Sequence, residues 1–138
     1  MVDATENTFK FELVSPAKKL LETQAYQVTV PGQEGDLGVR KGHSSFVVAV
    51  RAGVVEVLRT EDATAERVFV EGGFADVSAE NCTVLAESAV PVEELNREEI
   101  EAKITSIESH LVAEQDHVEQ HDLSHALHVE QAKLKACL

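Results

Sequence analysis

Apolar Phe9, Phe11 and Leu13 alternate with polar Lys10 and Glu12, a period of two that marks a strand with one face turned inward. Short runs rich in β-branched residues follow at 26–30, ended by Pro31-Gly32, and at 45–50 and 54–58. Three more lie at 67–71, ended by Gly72-Gly73, at 74–77 and at 82–86. Turn signals recur roughly every eight to twelve residues, and no helix-length pattern interrupts the runs. This half therefore predicts an all-β antiparallel sandwich or barrel and argues against a parallel βαβ fold.

The period changes after Pro91. All 7 glycines lie between Gly32 and Gly73, the last of the 3 prolines is Pro91, and no aromatic residue follows Phe74. This break predicts two domains, a β-sandwich over 1–91 and a helical hairpin over 92–138. Asn96 is placed to cap a first helix, with Glu99 as its capping-box partner and Leu95 stapling onto Ile100. Ile100, Ile104, Ile107 and Leu111 then recur at helical spacing, and Leu123, Leu127, Leu134 and Leu138 form a second stripe. The pattern lapses over 113–117. There Asp116 with Glu119 is a candidate cap for the second helix, and Asp122 is a later one. Each stripe is one-sided, so an antiparallel pair of helices is the economical way to bury both.

Charge narrows the function. With 12 Lys+Arg against 25 Asp+Glu the formal net charge is -13, which argues against nucleic acid and against direct binding to anionic lipid. No apolar run approaches the roughly 20 residues of a spanning helix. The opening MVDATENTFKFEL has neither a basic stretch followed by an apolar one nor an Arg-rich character, so no leader is expected. Cys82 and Cys137 are single and far apart, which suits a reducing, cytosolic compartment.

Candidate chemistry is sparse. Ser44 and Ser45 follow His43, but adjacency alone makes no nucleophile–base pair. The segment 32–38 lacks the Gly-Lys-Ser/Thr ending of a phosphate loop, and Glu34 and Asp36 repel phosphate; it reads as a glycine-bearing connection between strands. Five of the 6 histidines lie in the helical half. On one continuous helix His117, His121, His125 and His128 fall within about 80°. The stripe reads first as a solvated polar face. A pH-sensitive contact, neutral above and charged below roughly pH 6.5, comes second, and metal chelation a distant third, since HExxH and neighbouring thiolates are missing. Glu93, Glu94, Glu98, Glu99 and Glu101 suit the positive end of a helix dipole better than a catalytic carboxylate pair. These residues describe an interaction protein. Its rivals are a small metal-dependent enzyme built on the histidines and a free-standing adaptor.

The stretch Val30-Pro-Gly-Gln-Glu-Gly-Asp-Leu-Gly-Val-Arg-Lys-Gly-His43 resembles the VPGxEGDxGVxxGH segment of the epsilon subunits of F-type ATP synthases. Gly53 with 54–57 resembles that family's GxVxV strand, 70–77 its GGFxxV segment, 83–87 its closing strand and 11–16 its first strand. The likeness spans most of 9–92 in order and spacing. It implies about ten strands in a sandwich followed by a two-helix hairpin. It also implies a non-catalytic rotor subunit without cofactor or metal, placed in the central stalk between the gamma subunit and the membrane c-ring. The hairpin can then reach the alpha and beta subunits. The implied location is peripheral, on the cytoplasmic face of a bacterial inner membrane, with no nucleic acid and no membrane insertion.

The resemblance makes Glu34, Gly35, Asp36, Gly38, Arg40, Gly42 and His43 the expected contact residues, with the glycines letting the backbone turn and approach closely. Gly72 and Gly73 are equally well read as a contact or as a plain turn. The family's Ile/Leu-Asp-x-x-Arg-Ala ATP segment corresponds to 95–100, where Asn replaces Asp, Glu replaces Arg and Ile replaces Ala, so no ATP site is expected. Some members inhibit ATP hydrolysis through basic residues on the last helix. Here 116–138 carries Asp116, Glu119, Asp122 and Glu130 against Lys133 and Lys135. Inhibition is therefore expected to be weak near pH 8 and to rise below about pH 6.5, as His117, His121, His125 and His128 charge.

Overall fold

The structure, a computed structural model, describes residues 7–137. Leu138 of the second stripe and the first six residues of the stretch searched for a leader lie outside them. The chain separates into two compact units at the junction of Pro91 and Val92.

The first unit holds ten strands: β1 (Phe9–Val14), β2 (Lys19–Ala25), β3 (Gln27–Gly32), β4 (Gly35–Val39), β5 (Phe46–Val50), β6 (Gly53–Leu58), β7 (Glu66–Val70), β8 (Gly73–Val77), β9 (Asn81–Ala86) and β10 (Ala89–Pro91). They hydrogen-bond in the order β10-β7-β6-β3-β5-β8-β9-β1-β2, with β4 added beside β3. The two halves of this sheet meet at one pairing, Gly32 with Val50. There the sheet turns, and its two inner faces share one core. The alternation read from the sequence is that of the structure: Phe9, Phe11 and Leu13 are buried while Lys10, Glu12 and Val14 are only half-covered.

Two expectations are corrected. The segment after Gly32 is not merely a connection, because Gly35–Val39 forms β4, paired antiparallel to β3 from Val28–Val39 to Gly32–Gly35. Two glycines in five residues hid it. Nor is every pairing antiparallel: β1 runs parallel to β9, with Phe11 beside Cys82 and Leu13 beside Val84. All the other pairings among the described residues are antiparallel.

With no Trp, the core is built from Phe9, Phe11, Leu13 and a set of buried valines that includes Val28, Val30, Val55, Val57 and Val84. Burying each such side chain is worth about 1.5–3 kcal/mol, so these phenylalanines, leucine and valines suffice without a Trp. Cys82 belongs to it. Its burial, with the Asp76 charge nearby, pushes the thiol up to about 12, so it packs as a small apolar group rather than reacting.

The second unit comprises a 3-10 turn at Val92–Glu94, α1 (Arg97–Ala113) and α2 (His117–Cys137), and the two helices pack on each other. Asn96 caps α1: its side-chain oxygen accepts from the Glu99 amide at 3.1 Å. Ile100 is buried, and Ile104, Ile107 and Leu111 are half-buried. The link to α2 is held locally. The Glu114 carboxylate accepts from the amides of Gln115 (3.0 Å) and Asp116 (2.9 Å). Asp116, not the later Asp122, starts α2, accepting from the Val118 amide at 2.9 Å. Leu123, Leu127 and Leu134 are half-buried, whereas Val129 and Ala136, outside the leucine stripe, are buried.

Candidate functional site

The segment singled out in the sequence folds as a tight hairpin and the loop after it. β3 and β4 are joined by Gln33 and Glu34 alone, with Gly32 opposite Gly35. Gly35 has φ +143, in a region that L side chains rarely adopt, and a Cβ on Gly32 would stand 2.7 Å from the Gly35 carbonyl oxygen. The tip is anchored from β5 onward. The Gln33 amide donates to the Ala49 carbonyl at 3.0 Å and the Arg51 amide to that of Pro31 at 2.9 Å. The Arg51 guanidinium donates to the Gly32 carbonyl and, at 2.6 Å, to the Asp36 carboxylate.

Beyond β4 the chain turns at Arg40–His43, where Gly42 takes φ +87 and its amide donates to the Ala79 carbonyl at 2.7 Å. Arg40 is committed within the unit: its Nε donates to Gln27 at 2.8 Å and its guanidinium lies 5.0 Å from the centre of the Tyr26 ring. The His43 ring packs 5.0 Å from that of Phe46, tilted by 52°. Its Nδ1 is 2.9 Å from the Ser44 carbonyl. A carbonyl only accepts, so Nδ1 is the donor in this contact.

Glu34, Gly35, Asp36 and His43 line one open depression of about 490 Å³ together with Leu37, Phe46, Val47 and Val48. Gly38, Arg40 and Gly42 lie outside that lining. Sequence reasoning missed Arg51, Gln27 and Tyr26, which hold the charged residues in place, and the apolar wall of Phe46, Val47 and Val48. Val47 was detectable, because its parity along β5 puts it on the outer face, where it is 67% exposed. Phe74 (56%) and Leu85 (51%), paired across β8 and β9, extend exposed apolar surface on neighbouring strands. Gly72 and Gly73 serve the backbone there, with φ +134 and +136, and a Cβ on Gly73 would collide with the Leu85 carbonyl.

His117, His121, His125 and His128 all lie on the continuous helix α2, and all are exposed. Among the described residues no group of three or more potential ligands is placed to hold a metal. The hairpin site itself offers an apolar wall with an acidic rim and one imidazole, a surface suited to docking a partner.

A ten-stranded β-sandwich followed by a two-helix unit is the class of fold these elements define. The family described as "ATP synthase, Delta/Epsilon chain, beta-sandwich domain" matches residues 8–92. The ATP synthase epsilon chain of Sinorhizobium fredii is 44% identical over 76% of this chain and 78% of its own. That of Rhizobium rhizogenes is 38% identical over 86% and 87%. In fold, the chain resembles one in the cryo-EM structure of the Euglena gracilis mitochondrial ATP synthase, OSCP/F1/c-ring in rotational state 1. The TM-score is 0.85 at 21% identity, covering 100% of this chain and 84% of that one. The chain belongs to the ATP synthase delta/epsilon chain family, on its epsilon side. It is a non-catalytic subunit type.

Proposed function

We propose that this chain is a rotor subunit of the central stalk that ties the gamma subunit to the c-ring, so that ion flow and ATP synthesis stay coupled. The match over residues 8–92 to the family's sandwich domain carries this reading. The solved chains of similar fold come from mitochondrial ATP synthases, one in an OSCP/F1/c-ring assembly and one in a central stalk and c-ring assembly. A close-packed sandwich resists deformation, as a torque-bearing adaptor must. The β3–β4 hairpin, with Glu34 and Asp36 at its rim, suits the polar loops of the ring. The exposed Val47, Phe74 and Leu85 suit the gamma subunit. The reading includes a peripheral location on the cytoplasmic face of a bacterial inner membrane. Co-expression with gamma tests the proposal: untagged chain is expected to co-purify with tagged gamma, and Phe74→Asp with Leu85→Asp to weaken retention. A chain that ignores gamma refutes it.

A second reading concerns the hairpin, on the observation that four exposed histidines share one face of α2. The hairpin restrains ATP hydrolysis weakly near pH 8 and more strongly below about pH 6.5, where histidines as a class charge. The other charges of this stretch are Asp116, just before α2, and Glu119, Asp122, Glu130, Lys133 and Lys135 on it. Hydrolysis by the assembled enzyme, with and without residues 93–138, is compared across that range; a difference that stays flat with pH removes the idea. The hairpin is not expected to bind ATP, because Asn96 is used as a helix cap and Glu98, Glu99 and Glu101 surround it with negative charge. Saturable binding of micromolar ATP to the chain overturns that expectation.

A further inference from the structure

We propose that His117, His121, His125 and His128 form an exchangeable chelating site on α2 for a nitrogen-preferring divalent cation of the zinc, nickel and copper group. The helix is unbroken from His117 to Cys137, so the spacings of 4, 4 and 3 residues are helical throughout. Residues at i,i+4 rise about 6 Å along the axis and turn by about 40°. Two imidazoles so placed can bring one nitrogen each to about 2.0–2.1 Å from a shared ion, as the paired histidines of helical HExxH sites do. All four side chains are exposed, and none makes a hydrogen bond or ion pair among the described residues. By contrast His43 and His110 are tied to the carbonyls of Ser44 and Ser106.

No third ligand converges on any pair among the described residues. Each ion is therefore held by two imidazoles, with its other positions open to water or to a donor on another molecule. His121 is the shared member of the first two pairs and His125 of the last two, so an ion can step along the face. A chelate bridging one helical turn also favours the helical state, because it binds the ordered side chains and not the unfolded ones. Imidazole binds metal only when neutral, so protons compete with the ion, and occupancy falls on acidification.

Zinc is titrated calorimetrically into the tag-free full chain, with magnesium, which prefers oxygen donors, as control. Saturable zinc binding is expected at pH 7.5, with at least tenfold weaker binding at pH 5.5 and none for magnesium. His121→Gln with His125→Gln leaves only His117 and His128, about 16 Å apart along the axis, too far to share an ion. That variant is expected to lose at least tenfold in affinity. His117→Gln, which leaves the 121/125 pair, and His110→Gln are expected to lose less than threefold. Far-UV circular dichroism of the metal-free variants confirms that the helices persist, and zinc should raise the melting temperature of the parent chain, of His117→Gln and of His110→Gln, but not of His121→Gln with His125→Gln. The proposal is overturned if about 100 µM zinc does not bind at pH 7.5, a concentration at which a 100 µM site half-fills. Undiminished affinity in the His121/His125 variant overturns it as well.

Discussion

Arg51, at the end of β5, reaches 2.6 Å to the carboxylate of Asp36 on β4 while its other terminal nitrogen holds the Gly32 carbonyl. One guanidinium thus fixes both the tip of the β3–β4 hairpin and the acidic residue on its rim. Both carboxylates are exposed, but Asp36 is held by this bond, while Glu34 lies in the turn itself.

Arg51→Gln should therefore free the tip without unfolding the sandwich. Both partners are substantially exposed, at 39% and 62% for their side chains, so the loss in stability is expected to be about 1 kcal/mol or less. Hydrogen exchange at the Gln33 amide should speed up more than exchange in β9. Equal acceleration at both places would show that Arg51 acts globally.

Gly73→Ala is expected to be severe. At φ +136 any side chain is strained, and the new methyl would meet the Leu85 carbonyl. A loss of about 3 kcal/mol or more follows from the two effects together. Urea unfolding reads it. Gly42→Ala, also at positive φ but with open space around its Cβ, should cost distinctly less.

Asn96→Ala removes the bond to the Glu99 amide at the start of α1. Loss of such a cap costs about 1 kcal/mol. The expected signature is reduced helical signal near 222 nm on warming, with the unfolding of the sandwich unchanged. Asn96→Asp should preserve the cap.

On the outer surface of β1 and β2, Lys10 and Lys19 interleave with Glu12 and Glu22 at 2.9–3.4 Å. Hydrogen bonding to Glu12 raises Lys10, and bonding to Glu22 raises Lys19. The bond from Lys10 lowers Glu12, and that from Lys19 lowers Glu22. A lowered carboxyl contributes stability above its unfolded value and loses it as pH falls through the folded one. A raised ammonium contributes below its unfolded value and loses it as pH rises through the folded one. The network is thus at full strength between about pH 4.3 and 10.4. Glu12→Gln with Glu22→Gln should lower the urea midpoint at pH 7. The gap should close towards pH 2, and shrink in 1 M salt, since exposed pairs are screened.

Local signals were legible where they were strong. Alternating or β-branched runs revealed β1, β3 and β5 to β9, and the Asn96 cap revealed α1. The sequence Lys-Leu-Leu-Glu-Thr-Gln-Ala of β2 has adjacent leucines and a single β-branched residue, so its period is blurred, and its pairing with β1 shifts register between Leu13 and Val14. β10 is three residues ending in Pro91. The proposed contact residues stand out as a motif, but their restraints do not: Arg51 lies 15 residues from Asp36 and Arg40 13 from Gln27, and no local pattern announces such partners. The parallel pairing of β1 and β9 is non-local in the same way.

That parallel pairing has a bearing on biogenesis. β1 is made before the other nine described strands, yet its neighbour opposite β2 is β9, about seventy residues behind it in the chain. Until β9 emerges, one edge of β1, including the backbone beside Phe11 and Leu13, has nothing to zip onto. The nascent sandwich then stays unfinished through most of its own synthesis, with an open edge that a chaperone or a neighbouring chain can reach, and its closure waits for β9.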